Sequence, residues 1–127
     1  MTDQDKLSLT QFLQAKSYRL DGRGVHIDID AFVSFLDMYK PSDLVYPQVV
    51  VKNFGVSRVY AAKLLDLCAE YGVVQKAYEV YCPHCQRDSG NMFASKEEVA
   101  EEVCCNNCGE IIAEPEENLS AVYKIVG

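Results

Sequence analysis

The chain has no apolar run that approaches the ~18 residues of a membrane-spanning helix. Its start, Met1-Thr2-Asp3-Gln4-Asp5, lacks the basic and apolar regions of a secretory signal. Both absences predict a cytoplasmic protein with no membrane partner, in a compartment that keeps thiols reduced. Histidine is scarce, at two residues. No nucleophile–base motif accompanies them, so an enzyme ranks last among the function classes and no small-molecule substrate is expected. No Gly/Ser/Pro-rich or low-complexity stretch marks a linker, and no internal repeat is visible. Positive charge is also short: 12 Lys/Arg stand against 19 Asp/Glu, a net of −7. Residues 1–72 hold eight of the cations and nine of the acids, a net of −1; residues 73–127 hold four and ten, a net of −6. Nucleic-acid affinity depends largely on neutralising phosphates, and the acidic second half opposes that.

What the chain has instead is cysteine in a pattern. Cys82-Pro83-His84-Cys85 is followed by nineteen residues and then Cys105-Asn106-Asn107-Cys108-Gly109. Two residues between cysteines let a tight turn aim both sulfurs at one point. Two such turns facing each other form the tetrahedral cage that Zn²⁺ accepts. The expected cofactor is one structural Zn²⁺ held by Cys82, Cys85, Cys105 and Cys108. Four protein ligands leave no position to activate water, so the pattern predicts folding chemistry and no catalysis. Gly109 suits the positive φ that often follows such a pair; Gln86, in the matching place, suits it less well. His84 is a rival ligand, expected to point outward because four cysteines already fill the shell. Cys104 is a rival to Cys105, disfavoured because it gives a three-residue spacer. Four thiolates and one Zn²⁺ would take the second half to about −8.

The rest of the chain reads as helices followed by strands. Residues 1–6 are polar and expected to fray. Residues 8–16 fit a short amphipathic helix, and residues 18–27 a small hairpin or irregular connector. There His26 stands beside Asp28 and Asp30; no second cluster supports metal or acid–base work, so a cap or strand-end role is expected. A helix over 31–39 follows, capped by Asp28 or Asp30. Pro41 interrupts, Ser42 or Asp43 caps again, and 43–53 is a third helical candidate despite the lower helix propensity of Val49-Val50-Val51. Gly55 and Ser57 then end one helix and cap the next, Arg58–Tyr71, with Ala61, Leu64, Leu65, Cys68 and Tyr71 as its core stripe and Gly72 as its stop. Its solvent stripe is Arg58, Lys63, Asp66 and Glu70. Cys68 reads as a small core residue. Helix, glycine turn, helix is the helix-turn-helix pattern. Residues 73–81 fit one or two strands, as the wing of a winged helix, running straight into Cys82. Ser95-x-x-Glu98 is a capping box predicting a helix to about residue 102. Ile111-Ile112 is a short strand, 114–118 an acidic turn, and 119–126 a closing strand with Leu119, Ala121, Tyr123 and Ile125 on one face.

The expected fold class is α+β. A winged helix-turn-helix over residues 1–81, with an N-terminal extension, is fused directly to a four-cysteine zinc ribbon with a closing strand over residues 82–127. In this order, Cys-Pro-x-Cys, a short helix and Cys-x-x-Cys-Gly after a winged helix, the chain resembles the winged-helix–zinc-ribbon proteins, with an architecture similar to the alpha subunit of general transcription factor E. The resemblance covers roughly residues 30–112. It implies domains that serve as protein contacts within an assembly on DNA, without catalytic activity. The short length and the closing strand depart from that family.

The function expected is therefore a non-enzymatic interaction module, an adaptor or regulatory subunit of a larger protein assembly. Glu97, Glu98, Glu101 and Glu102 form a candidate acidic face for docking a basic partner, and also read as a solvated helix face. The alternative is a DNA-binding transcriptional regulator that uses Ser57, Arg58 and Lys63 at the start of its recognition helix. Asp66 and Glu70 follow on the same stripe and argue against it.

Overall fold

The computed structural model describes residues 2–20 and 27–126. The described residues are mixed α+β, with four α-helices and six strands. They divide into two compact units, Met1–Gln75 with Tyr123–Gly127, and Lys76–Val122. The sequence reading divides the chain after residue 81; the second unit takes in the residues just before Cys82 as well.

The first unit is mainly helical. Helix α1, Asp3–Ala15, starts earlier than expected. The Thr2 hydroxyl accepts the Asp5 N–H at 3.1 Å, and the Thr2 N–H donates to the Asp5 carboxylate at 3.2 Å. This reciprocal cap satisfies two end groups and holds the turn expected to fray. Residues Ser17–Arg19 form a 3-10 turn and not the start of a hairpin. The remainder of that expected connector, with the turn at 21–24 and His26, lies outside the described residues. Helix α2, Ile29–Asp37, is capped by the Asp28 carboxylate, which accepts the Ala31 N–H at 3.1 Å, and buries Phe32, Val33 and Leu36. Lys6 reaches Asp37 at 3.3 Å, tying α1 to α2.

The helix expected over 43–53 is two elements. Leu44–Val45 is a short strand, β1, and α3 is Pro47–Phe54. Asp43 does not cap a helix; its carboxylate accepts the Lys40 N–H at 2.8 Å and closes the turn before β1. Pro47 then opens α3, because proline's missing N–H has no partner at that position anyway. Gly55, at φ 66, ends α3 with its N–H on the Val51 carbonyl. The Ser57 hydroxyl accepts the Tyr60 N–H at 3.1 Å and opens α4, Arg58–Tyr71, which Gly72 stops at φ 107. Helices α1 and α3 both pack on α4, which buries Tyr60 and Leu67 besides the expected Ala61, Leu64, Leu65 and Cys68. Tyr71 is part-exposed against Phe12, with ring centroids 5.2 Å apart. Asp66 is not a free solvent residue: its carboxylate accepts the buried Tyr123 hydroxyl at 2.6 Å.

Of the one or two strands expected over 73–81, the chain forms one, the nine-residue β2, Val74–Cys82, which runs into the second unit. Its hairpin partner, β3 at Arg87–Phe93, lies beyond the first cysteine pair. The register runs Tyr78↔Phe93, Glu79↔Met92, Tyr81↔Asp88 and Cys82↔Arg87, with a shift between Glu79 and Tyr81. Lys96–Glu98 is a three-residue 3-10 turn, and the helix expected to reach 102 does not form. The Ser95 side chain makes no cap bond; the Glu98 carboxylate instead accepts the Ala94 N–H at 3.3 Å. Val99 is extended, and the chain enters β4, Val103–Cys104, where Val103 is buried. Strand β4 pairs with β5, Ile111–Ile112. A 3-10 turn at Pro115–Asn118 leads into β6, Leu119–Ile125.

Strands β1, β6, β2 and β3 are hydrogen-bonded in that order, and β1 pairs antiparallel with β6. Strand β6 departs from the expected alternation: Val122 and Tyr123 are neighbours on opposite faces, and both are fully buried. Among the described residues, no helix is long and apolar enough to cross a membrane.

Candidate metal centre

Two turns deliver four sulfurs to one point. Cys82 closes β2 and Cys85 sits in the hairpin loop; Cys105 follows β4 and Cys108 ends the next turn. The four Sγ atoms all lie within 4.8 Å of one another. Cys82 and Cys108 are 3.7 Å apart, as are Cys85 and Cys105. A tetrahedron with Zn–S near ~2.3 Å has sulfur–sulfur edges of about 3.8 Å, so these pairs match the spacing of a four-thiolate ion. The contacts are far beyond disulfide length, and all six cysteines are free. The donor set is therefore consistent with one zinc ion, with Cys82, Cys85, Cys105 and Cys108 as its ligands.

The two turns are built alike. Gln86 N–H donates to the Cys82 carbonyl at 2.8 Å, and Gly109 N–H donates to the Cys105 carbonyl at 2.9 Å. Each closing residue needs a left-handed backbone: Gly109 has φ 79 and Gln86 has φ 58. Glycine takes that conformation freely, whereas a side chain does so at a cost of order 1 kcal/mol. The sulfurs lie against apolar side chains. Cys82 and Cys105 are buried with Val80, Val103 and Ile112, and Cys85, Phe93 and Leu119 pack on that cluster.

The thiols also differ in acidity. The Cys108 and Asn107 backbone groups hold Cys105 down to about 6, against the opposing effect of desolvation. For Cys108 the Glu110 backbone favours the thiolate, but desolvation and hydrogen bonding with the other three cysteines outweigh it and push the thiol up to about 12. Desolvation, then the neighbouring Cys105 and Cys82, raise Cys85. Four thiolates crowded together repel one another, and a divalent cation is the natural counter-charge.

The rivals stand outside the cluster. His84 is exposed and is not among the grouped ligands. Cys104 is exposed, its sulfur 3.5 Å from the Gly109 carbonyl. Alternation explains this: Val103 and Cys105 point into the core, so the residue between them points out. Cys68 is a buried thiol in α4, pushed up to about 12 by desolvation.

A set of residues that spacing arguments missed joins the second turn to β3. Asn106 N–H donates to the Ser89 carbonyl at 2.8 Å. The Asn107 side-chain amide donates to the Asp88 carbonyl at 2.5 Å, and that of Asn91 to the Cys104 carbonyl at 2.9 Å. Gly90, at φ 83, leaves room for this approach: a Cβ there would lie 2.7 Å from the Asn106 amide nitrogen. The only sequence signal was the Gly/Asn content of 89–91 and 106–107, which indicates turns without naming their partners.

The candidate contact residues are dispersed. Arg58 and Lys63 are exposed on α4, while the Ser57 hydroxyl is engaged as a cap. Glu97, Glu98, Glu101 and Glu102 are exposed, but they share no helix face, since the 3-10 turn ends at Glu98. Compared with protein-family models, curated proteins and solved structures, the chain matches none.

Proposed function

We propose that the chain is a non-enzymatic interaction module, an adaptor or regulatory subunit of a larger protein assembly, built as a winged helix joined to a zinc ribbon. The observation that carries this reading is the closed set of four sulfurs within 4.8 Å of one another. Bound there, zinc would supply four metal–sulfur bonds that hold the second unit folded, and four protein ligands leave no open position for a substrate or a reactive water. The residues themselves aim the sulfurs, exclude water from Cys82 and Cys105, and offer backbone N–H groups to the sulfur of Cys105. The helix, glycine turn and helix of α3 and α4, followed by a strand, support the winged-helix part and its likeness to the alpha subunit of general transcription factor E. The net charge of −7 favours protein contact over phosphate contact.

A DNA-binding regulator is the second reading, favoured by the exposed Arg58 and Lys63 on α4. A salt titration of duplex binding separates the two. A DNA reader gains roughly 0.9 in the slope of log affinity against log salt per phosphate contacted, and Arg58→Ala should lower that slope by about one. The interaction module should bind duplex weakly even at low salt, with Arg58→Ala leaving that binding unchanged. Tight, sequence-selective binding at physiological salt that collapses in Arg58→Ala would replace the first reading with the second. Co-purification from the native cell, read by mass spectrometry, would then identify the assembly.

A further inference from the structure

Beyond the four ligands, we infer that Asn107 is a positioning residue for the metal site, fixing the second cysteine turn on strand β3 through the Asp88 carbonyl. This rests on the zinc reading of the cluster. Asn107 has two roles in the structure. Its backbone N–H donates to the Cys105 sulfur at 3.4 Å, and its side-chain amide donates to the Asp88 carbonyl at 2.5 Å. The side-chain bond holds the backbone N–H in place, and that N–H faces the sulfur which carries negative charge when the ion is bound. Asp88 lies opposite Tyr81 and next to Arg87, the partner of Cys82 in the hairpin. One amide thus links the turn carrying Cys105 and Cys108 to the hairpin carrying Cys82 and Cys85.

The neighbours reinforce the same joint. Asn106 N–H reaches the Ser89 carbonyl and the Asn91 amide reaches the Cys104 carbonyl. Gly90 lets them approach, since any side chain there would meet Asn106. Asn106 differs from Asn107 in an instructive way: its contact to Ser89 is through the backbone and survives truncation of the side chain. Groups that hydrogen-bond and orient ligands from outside the coordination shell change metal affinity by about 10- to 100-fold when removed.

The experiment uses the full chain with Zn²⁺ or Co²⁺ alone as the probe. Zinc affinity is read by competition with a chelator, and the Co²⁺-loaded protein by its absorption spectrum, which reports tetrahedral thiolate ligation. Helical circular dichroism checks that α1–α4 are formed in every variant. Asn107→Ala should lose about 10- to 100-fold in zinc affinity while still giving the tetrahedral Co²⁺ spectrum at saturation. Asn107→Asp keeps the size, sets an acceptor against the Asp88 carbonyl, and should lose at least as much. Asn106→Ala should stay within about twofold of wild type, because its backbone bond remains. Unchanged affinity in both Asn107 variants, or an equal loss in Asn106→Ala, would overturn the inference while leaving the zinc reading intact. Failure of wild-type protein to bind either metal would overturn both.

Discussion

Replacing Cys105 with serine tests the centre most directly. Cys105 is 1% exposed, its sulfur lies 3.7 Å from that of Cys85, and it accepts the Asn107 N–H. Serine removes a thiolate that nothing nearby can replace: Cys104 points outward, and His84 is exposed outside the cluster. Structural zinc sites contribute about 10–16 kcal/mol at neutral pH, or about 2.5–4 kcal/mol per ligand when shared over four. At ~1.4 kcal/mol per decade, one lost ligand should weaken zinc binding by about two to three decades. The unit has little else to hold it. Beside the two cysteines its buried cluster is Val80, Val103 and Ile112, worth about 1.5–3 kcal/mol each. Cys105→Ser should therefore release zinc and raise amide exchange across Lys76–Val122, while α1 to α4 keep their protection. Chelator competition and hydrogen exchange read by mass spectrometry give the two numbers. Zinc stoichiometry and exchange equal to wild type would refute the argument, and Cys104→Ser, which leaves the four grouped sulfurs in place, should match wild type.

Two further substitutions probe the scaffold. Tyr123→Phe removes the hydroxyl that donates to Asp66 from a fully buried site and should cost about 1.5–3 kcal/mol, lowering the urea midpoint by roughly 1 M at a typical slope; an unchanged midpoint would show that the bond carries no stability. Gln86→Gly relieves the left-handed backbone at φ 58, a gain of about 1–2 kcal/mol that glycine's greater freedom in the unfolded chain cuts to about 0.5–1 kcal/mol. Urea unfolding of the zinc-loaded protein checks it, and Gly109→Ala should move the opposite way by a similar amount.

Elements whose signals are local were legible in the sequence. Helix α4 has its expected bounds because Ser57 caps it and Gly72 stops it within the chain itself. The cysteine grouping follows from spacing alone. Strand β3 escaped notice because Arg-Asp-Ser-Gly-Asn-Met-Phe has neither alternation nor β-branched residues; it is a strand because β2 pairs with it. Strand β1 is two residues long, and its partner β6 lies nearly eighty residues away. Pro47 is a readable helix start, and the helix expected over 43–53 begins four residues before it. The Ser95-x-x-Glu98 pattern misled, since the Ser95 side chain makes no cap bond and burial of Val103 draws the following chain into a strand.

The first cysteine turn is also the loop of the β2–β3 hairpin, with Cys82 and Arg87 facing each other across it. Hairpin loops ordinarily tolerate changes of length, and insertions accumulate at such tips. Here the loop is held to a fixed count by two separate demands. One added residue between Cys82 and Cys85 would spoil the aim of the sulfurs, and it would also break the turn that the Gln86 N–H closes on the Cys82 carbonyl. A tag, protease site or spectroscopic insertion placed at this exposed tip would therefore be rejected, although surface position alone would recommend it.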